Sequence, residues 1–240
     1  MLRYLIVLFC LILGSAAAAD LDPPEYETIP LYSKDDQVTL VADFYPASEP
    51  APVLLLLHML NSNRAAYDPL IPDLHDAGYA VLNIDMRGHG ASGGSREWDS
   101  AIADMQSWVD WLDAERHLSE AGLAIIGGSI GANVAIISCA ETETCRGAVA
   151  LSPGLDYRGV KPESALVDGL ADRTVLLVAA QNDASSSTAI RQMFRNAKGD
   201  VFARLFRGRA HGTRLFDSEY DSVSQLILNW LDETFSPADE

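Results

Sequence analysis

From residue 53 onward the chain alternates short apolar runs with longer amphipathic stretches. Val53–Leu57 reads Val-Leu-Leu-Leu-Leu with no polar interruption, the pattern of a strand covered on both faces. Comparable runs fall at 79–84, 123–126, 148–151, Thr174–Ala180 and Val201–Phe206. Between them, residues 69–77, 100–117, 131–140, 187–197 and 220–235 are predicted to be helices. In the second of these, Ile102, Met105, Trp108, Val109 and Leu112 recur at helical spacing and mark one buried stripe. Strands alternating with helices predict a mostly parallel central sheet with helices on both faces. Upstream, two extended stretches at 27–33 and 38–45 flank the turn Lys34-Asp35-Asp36-Gln37, which predicts an antiparallel hairpin at the N-terminal side of the sheet. No repeat, low-complexity tract or linker interrupts this plan, so residues 20–240 read as one α/β domain.

The first nineteen residues follow a different rule. Arg3 supplies a positive start, residues 4–13 are apolar, and Ala17-Ala18-Ala19 fits a small-residue cleavage site. The apolar run falls short of the roughly 20 residues that a spanning helix needs. Residues 1–19 are therefore expected to be a signal peptide, giving a periplasmic or secreted product without stable membrane insertion. Cys10 would leave with it. Cys139 and Cys145 remain, and two readings stay open: a disulfide formed in an oxidising compartment, or two small side chains near a helix end. Neither has a partner at zinc-ligand spacing.

Composition removes further classes. The chain is 48% hydrophobic, and its 17 Lys and Arg against 34 Asp and Glu leave a net charge of −17. That is the wrong sign for tracking nucleic acid or an anionic membrane by bulk electrostatics. One segment departs from the average: Arg191, Arg195, Lys198, Arg204, Arg207, Arg209 and Arg214 share their stretch with a single acid, Asp200. A solvated basic face is the plainer interpretation. The alternative is a field near His211 that attracts anionic substrates.

The predicted strand at 123–126 runs into Gly127-Gly128-Ser129-Ile130-Gly131 and then a helix, which is G-x-S-x-G in the strand–turn–helix context that the motif requires. A serine on such a turn is exposed and held in a strained position. The helix behind it directs unpaired N–H groups, beginning with that of Ile130, toward a developing oxyanion. A serine hydroxyl needs a base, and the base an acid. Asp183 follows strand Thr174–Ala180 and His211 follows strand Val201–Phe206, both at strand carboxyl ends, where open α/β sheets place their sites. Asp156, after the run at 148–151, is the rival acid.

These segments resemble the α/β-hydrolase family, and the resemblance covers nearly all of residues 20–240. His58-Met59 stands where the family carries His-Gly, and Asp85-Met86-Arg87-Gly88-His89-Gly90-Ala91-Ser92 resembles its D-x-R-G-x-G-x-S segment. The resemblance implies Ser129 as nucleophile, Asp183 as acid, His211 as base, and the backbone N–H groups of Met59 and Ile130 as oxyanion donors. At Met59 the family usually has Gly, so a side chain could narrow the acyl pocket or move the donor to Leu60. His58 and His89 read as braces of their loops, His75 and His117 as exposed helix residues, and Asp85 as a structural tie. Trp98 sits in a glycine-rich loop within reach of the site. Only 22 residues, 152–173, join two strands, too few for a helical cap, so the site should be open and favour short acyl chains. Nucleotide and zinc-protease motifs are missing, and no cofactor is implied. The reaction implied is ester hydrolysis on a small-molecule substrate. Thioesterase, lipase, small peptidase and a non-catalytic binding role are the alternatives, and the compact layout resembles the dienelactone-hydrolase branch.

Overall fold

The computed structural model describes residues 24–116 and 122–236. The signal-peptide expectation and His117 lie outside them. Among the described residues, eight strands form one sheet: β1 (Glu27–Tyr32), β2 (Thr39–Tyr45), β3 (Val53–Leu57), β4 (Ala80–Asp85), β5 (Leu123–Gly128), β6 (Cys145–Leu151), β7 (Thr174–Ala180) and β8 (Val201–Phe206). Their order is β1-β2-β4-β3-β5-β6-β7-β8. β1 pairs antiparallel with β2, and β2 antiparallel with β4. All later pairs are parallel. This is the α/β-hydrolase fold.

Among the described residues, five α-helices cover the sheet: α1 (Ile71–Asp76), α2 (Trp98–Arg116), α3 (Ile130–Glu141), α4 (Ala184–Asn196) and α5 (Leu215–Phe235). The apolar strand runs feed two cores at once. Leu55 and Leu57 of β3 join Trp108 and Leu112 of α2, Val134 and Ile136 of α3, and Ile190 and Met193 of α4. Leu54 and Leu56, pointing the other way, join Ile71 and Leu74 of α1 with Val223, Ile227 and Trp230 of α5. Alternation along β3 therefore serves both faces, and its middle is apolar throughout.

Cys139, in the last turn of α3, and Cys145, the first residue of β6, form a disulfide with Cα atoms 5.3 Å apart, which decides the alternative that the sequence left open. The 152–173 connection holds only a bridge between Tyr157 and Val160 and a π-helical turn at Ala165–Gly169. It builds no cap. Among the described residues no helix is long and apolar enough to cross a membrane.

Candidate active site

Ser129 lies between β5 and α3 with φ 55° and ψ −118°, a left-handed backbone that a non-glycine residue adopts only under constraint. The constraint is packing. A Cβ on Gly127 would land on the carbonyl of Gly131, and one on Gly131 would land 2.6 Å from the carbonyl of His58. The two glycines of the motif are thus fixed by close approach of strand, turn and helix. The Ser129 N–H donates to the Leu151 carbonyl at 2.8 Å, tying the turn to the end of β6.

Three strand ends then converge. Asp183 lies three residues past β7, at the N-cap of α4, and His211 follows β8 by five. His211 Nδ1 donates to Asp183 Oδ2 at 2.6 Å, and His211 Nε2 accepts from the Ser129 hydroxyl at 2.8 Å. The Asp183 side chain is 8% exposed and that of His211 35%, so the acid is enclosed while the ring reaches solvent. Burial pushes the Asp183 carboxyl up, but the hydrogen bond and charge of His211, with help from Ser152 and Ser186, hold it below its ordinary range. An ionised acid on Nδ1 leaves the Nε2 lone pair facing Ser129, so the arrangement can draw a proton from the hydroxyl.

Asp156 is not part of this chain of bonds. It is exposed, accepts from the Gly159 N–H at 2.7 Å and pairs with Lys161. On the opposite side, no acceptor among the described residues takes the backbone N–H of Met59, Leu60 or Ile130, so donors remain for a substrate oxygen. The Met59 side chain lies against Gly128 and Gly212, filling space on both sides of the Ser129 turn.

The segment from the end of β4 onward, Asp85 to Ser92, is a brace. Asp85 accepts from the N–H groups of Arg64 and Ala91, at 2.8 Å each, and from the Arg64 guanidinium. Arg87, 3% exposed, is held by Asp104 of α2 and by Asp36 of the β1–β2 turn. His58 donates to its neighbour's carbonyl and accepts from the Met86 N–H, and burial pushes its pKa down to about 4. Its hydrogen bonds go to the backbone, whereas the Ser129 hydroxyl goes to His211. His89 donates to the Arg87 carbonyl, meets the His58 ring edge-on and lies tilted against Trp98. His75 is half-buried on α1, paired with the Pro46 carbonyl.

Sequence reasoning missed Tyr157. Its ring meets His211 edge-on at 6.3 Å, and its hydroxyl bonds Ser186 at 3.1 Å and the Ser152 carbonyl. The loop that carries it is anchored by buried Asn133 of α3, which bonds both backbone groups of Gly154 and the carbonyl of Val160. Neither residue has a motif; only the Asn interrupting an otherwise apolar helix hinted at a buried polar tie.

The sequence profile of the family described as serine aminopeptidase, S33, matches residues 48–214. The chain belongs to this family. As a member of the S33 serine aminopeptidase family, it is similar in fold to the Pyrococcus furiosus esterase Pf2001, with TM-score 0.78 at 19% identity over 92% of this chain and 96% of that one. It is also similar to a dienelactone hydrolase from Anabaena variabilis, with TM-score 0.71 at 17% identity over 88% and 99%. At sequence level it matches the uncharacterized protein Rv2307c of Mycobacterium tuberculosis, 31% identical over 85 residues. That match spans 35% of this chain and 30% of the relative.

Proposed function

We propose that this S33-family protein is a serine hydrolase that cleaves carboxylic esters of small molecules through an acyl-enzyme. His211 takes the proton of Ser129 as its oxygen attacks the ester carbonyl. The N–H groups of Ile130 and of Met59 receive the oxyanion, and His211 then protonates the departing alcohol. Water repeats the sequence and releases the acid, while Asp183 holds the imidazole and stabilises its charged form. The observation that carries the reading is the unbroken pair of hydrogen bonds from Asp183 through His211 to Ser129, at 2.6 and 2.8 Å.

The family description favours a second substrate, an amino-terminal peptide bond. Such a substrate brings a free ammonium group, and the loop carrying His211 holds Arg207, Arg209 and Arg214. Like charge disfavours that cation, so an ester is the better fit. The reading also includes export: the Arg3 start, the apolar stretch and Ala17-Ala18-Ala19 support a cleaved leader, and the Cys139–Cys145 disulfide suits an oxidising compartment. A panel of p-nitrophenyl esters of rising chain length, run beside amino-acid p-nitroanilides, tests the substrate class. Turnover of short esters that disappears in Ser129→Ala is expected. Turnover of the anilides alone would transfer the assignment to peptide hydrolysis.

A further inference from the structure

Beside the base lies a cavity that ester hydrolysis as such does not require. It measures about 710 Å³ and is lined by Arg207, Gly208, Arg209, Ala210, His211 and Arg214, with Asp217, Ser218 and Glu219 on its α5 side. Three arginines of one segment thus line the same cavity as His211.

Elsewhere among the described residues Arg64 pairs with Asp43 and Asp85, Arg87 with Asp36 and Asp104, and Arg116 with Glu27, while exposed Arg158 and Arg195 pair with no acid. Among the described residues, the side chains of Arg207, Arg209 and Arg214 form no ion pair or hydrogen bond. Asp217 and Glu219 line the same cavity yet pair with none of them. Three donors of charge-assisted hydrogen bonds are therefore left open around the cavity that His211 also lines, and even after the two carboxylates the wall keeps one net positive charge.

Geometry says which part of a substrate meets them. His211 Nε2 faces the Ser129 oxygen and must protonate the leaving oxygen, so the alcohol portion departs along the His211 loop. Resting on the hydrolase reading above, we propose that this cavity is an anion subsite, and that the substrate is an ester whose alcohol portion carries a carboxylate. Guanidinium groups suit that ligand because their planar fork matches both carboxylate oxygens.

The test compares two acetyl esters with the same ring, that of para-hydroxybenzoate and that of its methyl ester, which lacks the charge. The quantity read is the ratio of kcat/KM for the anionic to the neutral ester. Wild type is expected to favour the anion, and Arg207→Gln/Arg209→Gln/Arg214→Gln to lower the ratio roughly tenfold, a few-fold for each exposed charge. Arg195→Gln, the same charge change on α4 outside the cavity, should leave the ratio in place. Raising salt to about 0.5 M should shrink the wild-type ratio, because screening then acts within a few ångströms. A ratio insensitive to both the triple substitution and salt overturns the subsite while leaving ester hydrolysis intact. Turnover that survives Ser129→Ala overturns the hydrolase reading instead. Should neither ester be cleaved, calorimetric titration with para-hydroxybenzoate and its amide decides the subsite alone: tighter binding of the carboxylate, lost in the triple variant, supports it, and equal binding overturns it.

Discussion

Met59 occupies a position that the family usually gives to glycine, and the structure accommodates it by leaving Gly128 and Gly212 bare. Gly212→Ala tests this interlock. Gly212 has φ +58°, and a Cβ there would fall on Met59 Sδ, 2.8 Å from Met59 Cγ and 3.4 Å from the Ser129 nitrogen. The left-handed backbone costs an alanine about 1 kcal/mol, and crowding the methionine adds about 1–3 kcal/mol. A loss of about 2–4 kcal/mol is therefore expected in urea unfolding. Because Gly212 adjoins His211, kcat on a short p-nitrophenyl ester should fall as well, roughly a hundredfold for a displacement near 1 Å. Met59→Ala removes Sδ and Cγ, so in the double variant only the backbone part remains. The double-mutant cycle should return a coupling of about 1–3 kcal/mol in stability and recover most of the lost rate. Additive effects, within about 0.3 kcal/mol, would refute the interlock.

Other consequences follow from single contacts. Asp183→Asn should lower kcat roughly ten-thousandfold by fixing the wrong tautomer of His211, whereas Asp156→Asn, which changes only a loop contact, should have little effect; the reverse ranking in ester turnover would move the acid to Asp156. Asp104→Ala leaves the buried Arg87 guanidinium with only the more exposed Asp36 as its ion-pair partner and should cost about 1–3 kcal/mol in chemical denaturation; a loss under about 0.5 kcal/mol, the scale of an ordinary surface change, would contradict the brace. His58 is held neutral down to about pH 4 against an ordinary value of 6.5. Below that ordinary value the unfolded chain gains a proton that the native ring refuses, so stability falls as pH drops from 6.5 toward 4, by about 3 kcal/mol in all. His58→Gln should flatten this window of the stability–pH curve, and parallel curves would exclude His58 as its source.

β3 and β7 were legible because two-sided burial demands an unbroken apolar run, and both begin and end at the residues the pattern marks. Departures have local causes. β6 begins at Cys145, three residues before its apolar run, because Arg146 and Gly147 break the pattern while the backbone already pairs with β5. α5 starts at Leu215 rather than 220 because Glu219, with φ −140°, kinks a helix that resumes behind it. The order and spacing of Ser129, Asp183 and His211 were readable as a motif plus two strand ends. Tyr157, Asn133 and the filling role of Met59 were not, since each acts through contacts between segments far apart in sequence. The cysteine pairing depended on a Cα separation that spacing along the chain does not determine.

The central claim is that Ser129 is a nucleophile activated by His211, and covalent trapping tests it most directly. A fluorophosphonate probe incubated with the protein, followed by peptide mass spectrometry, should place one adduct on the peptide bearing Ser129. The adduct should be absent in Ser129→Ala and strongly slowed in His211→Ala. No adduct on the wild-type protein, or one on another serine that persists in Ser129→Ala, would contradict the account.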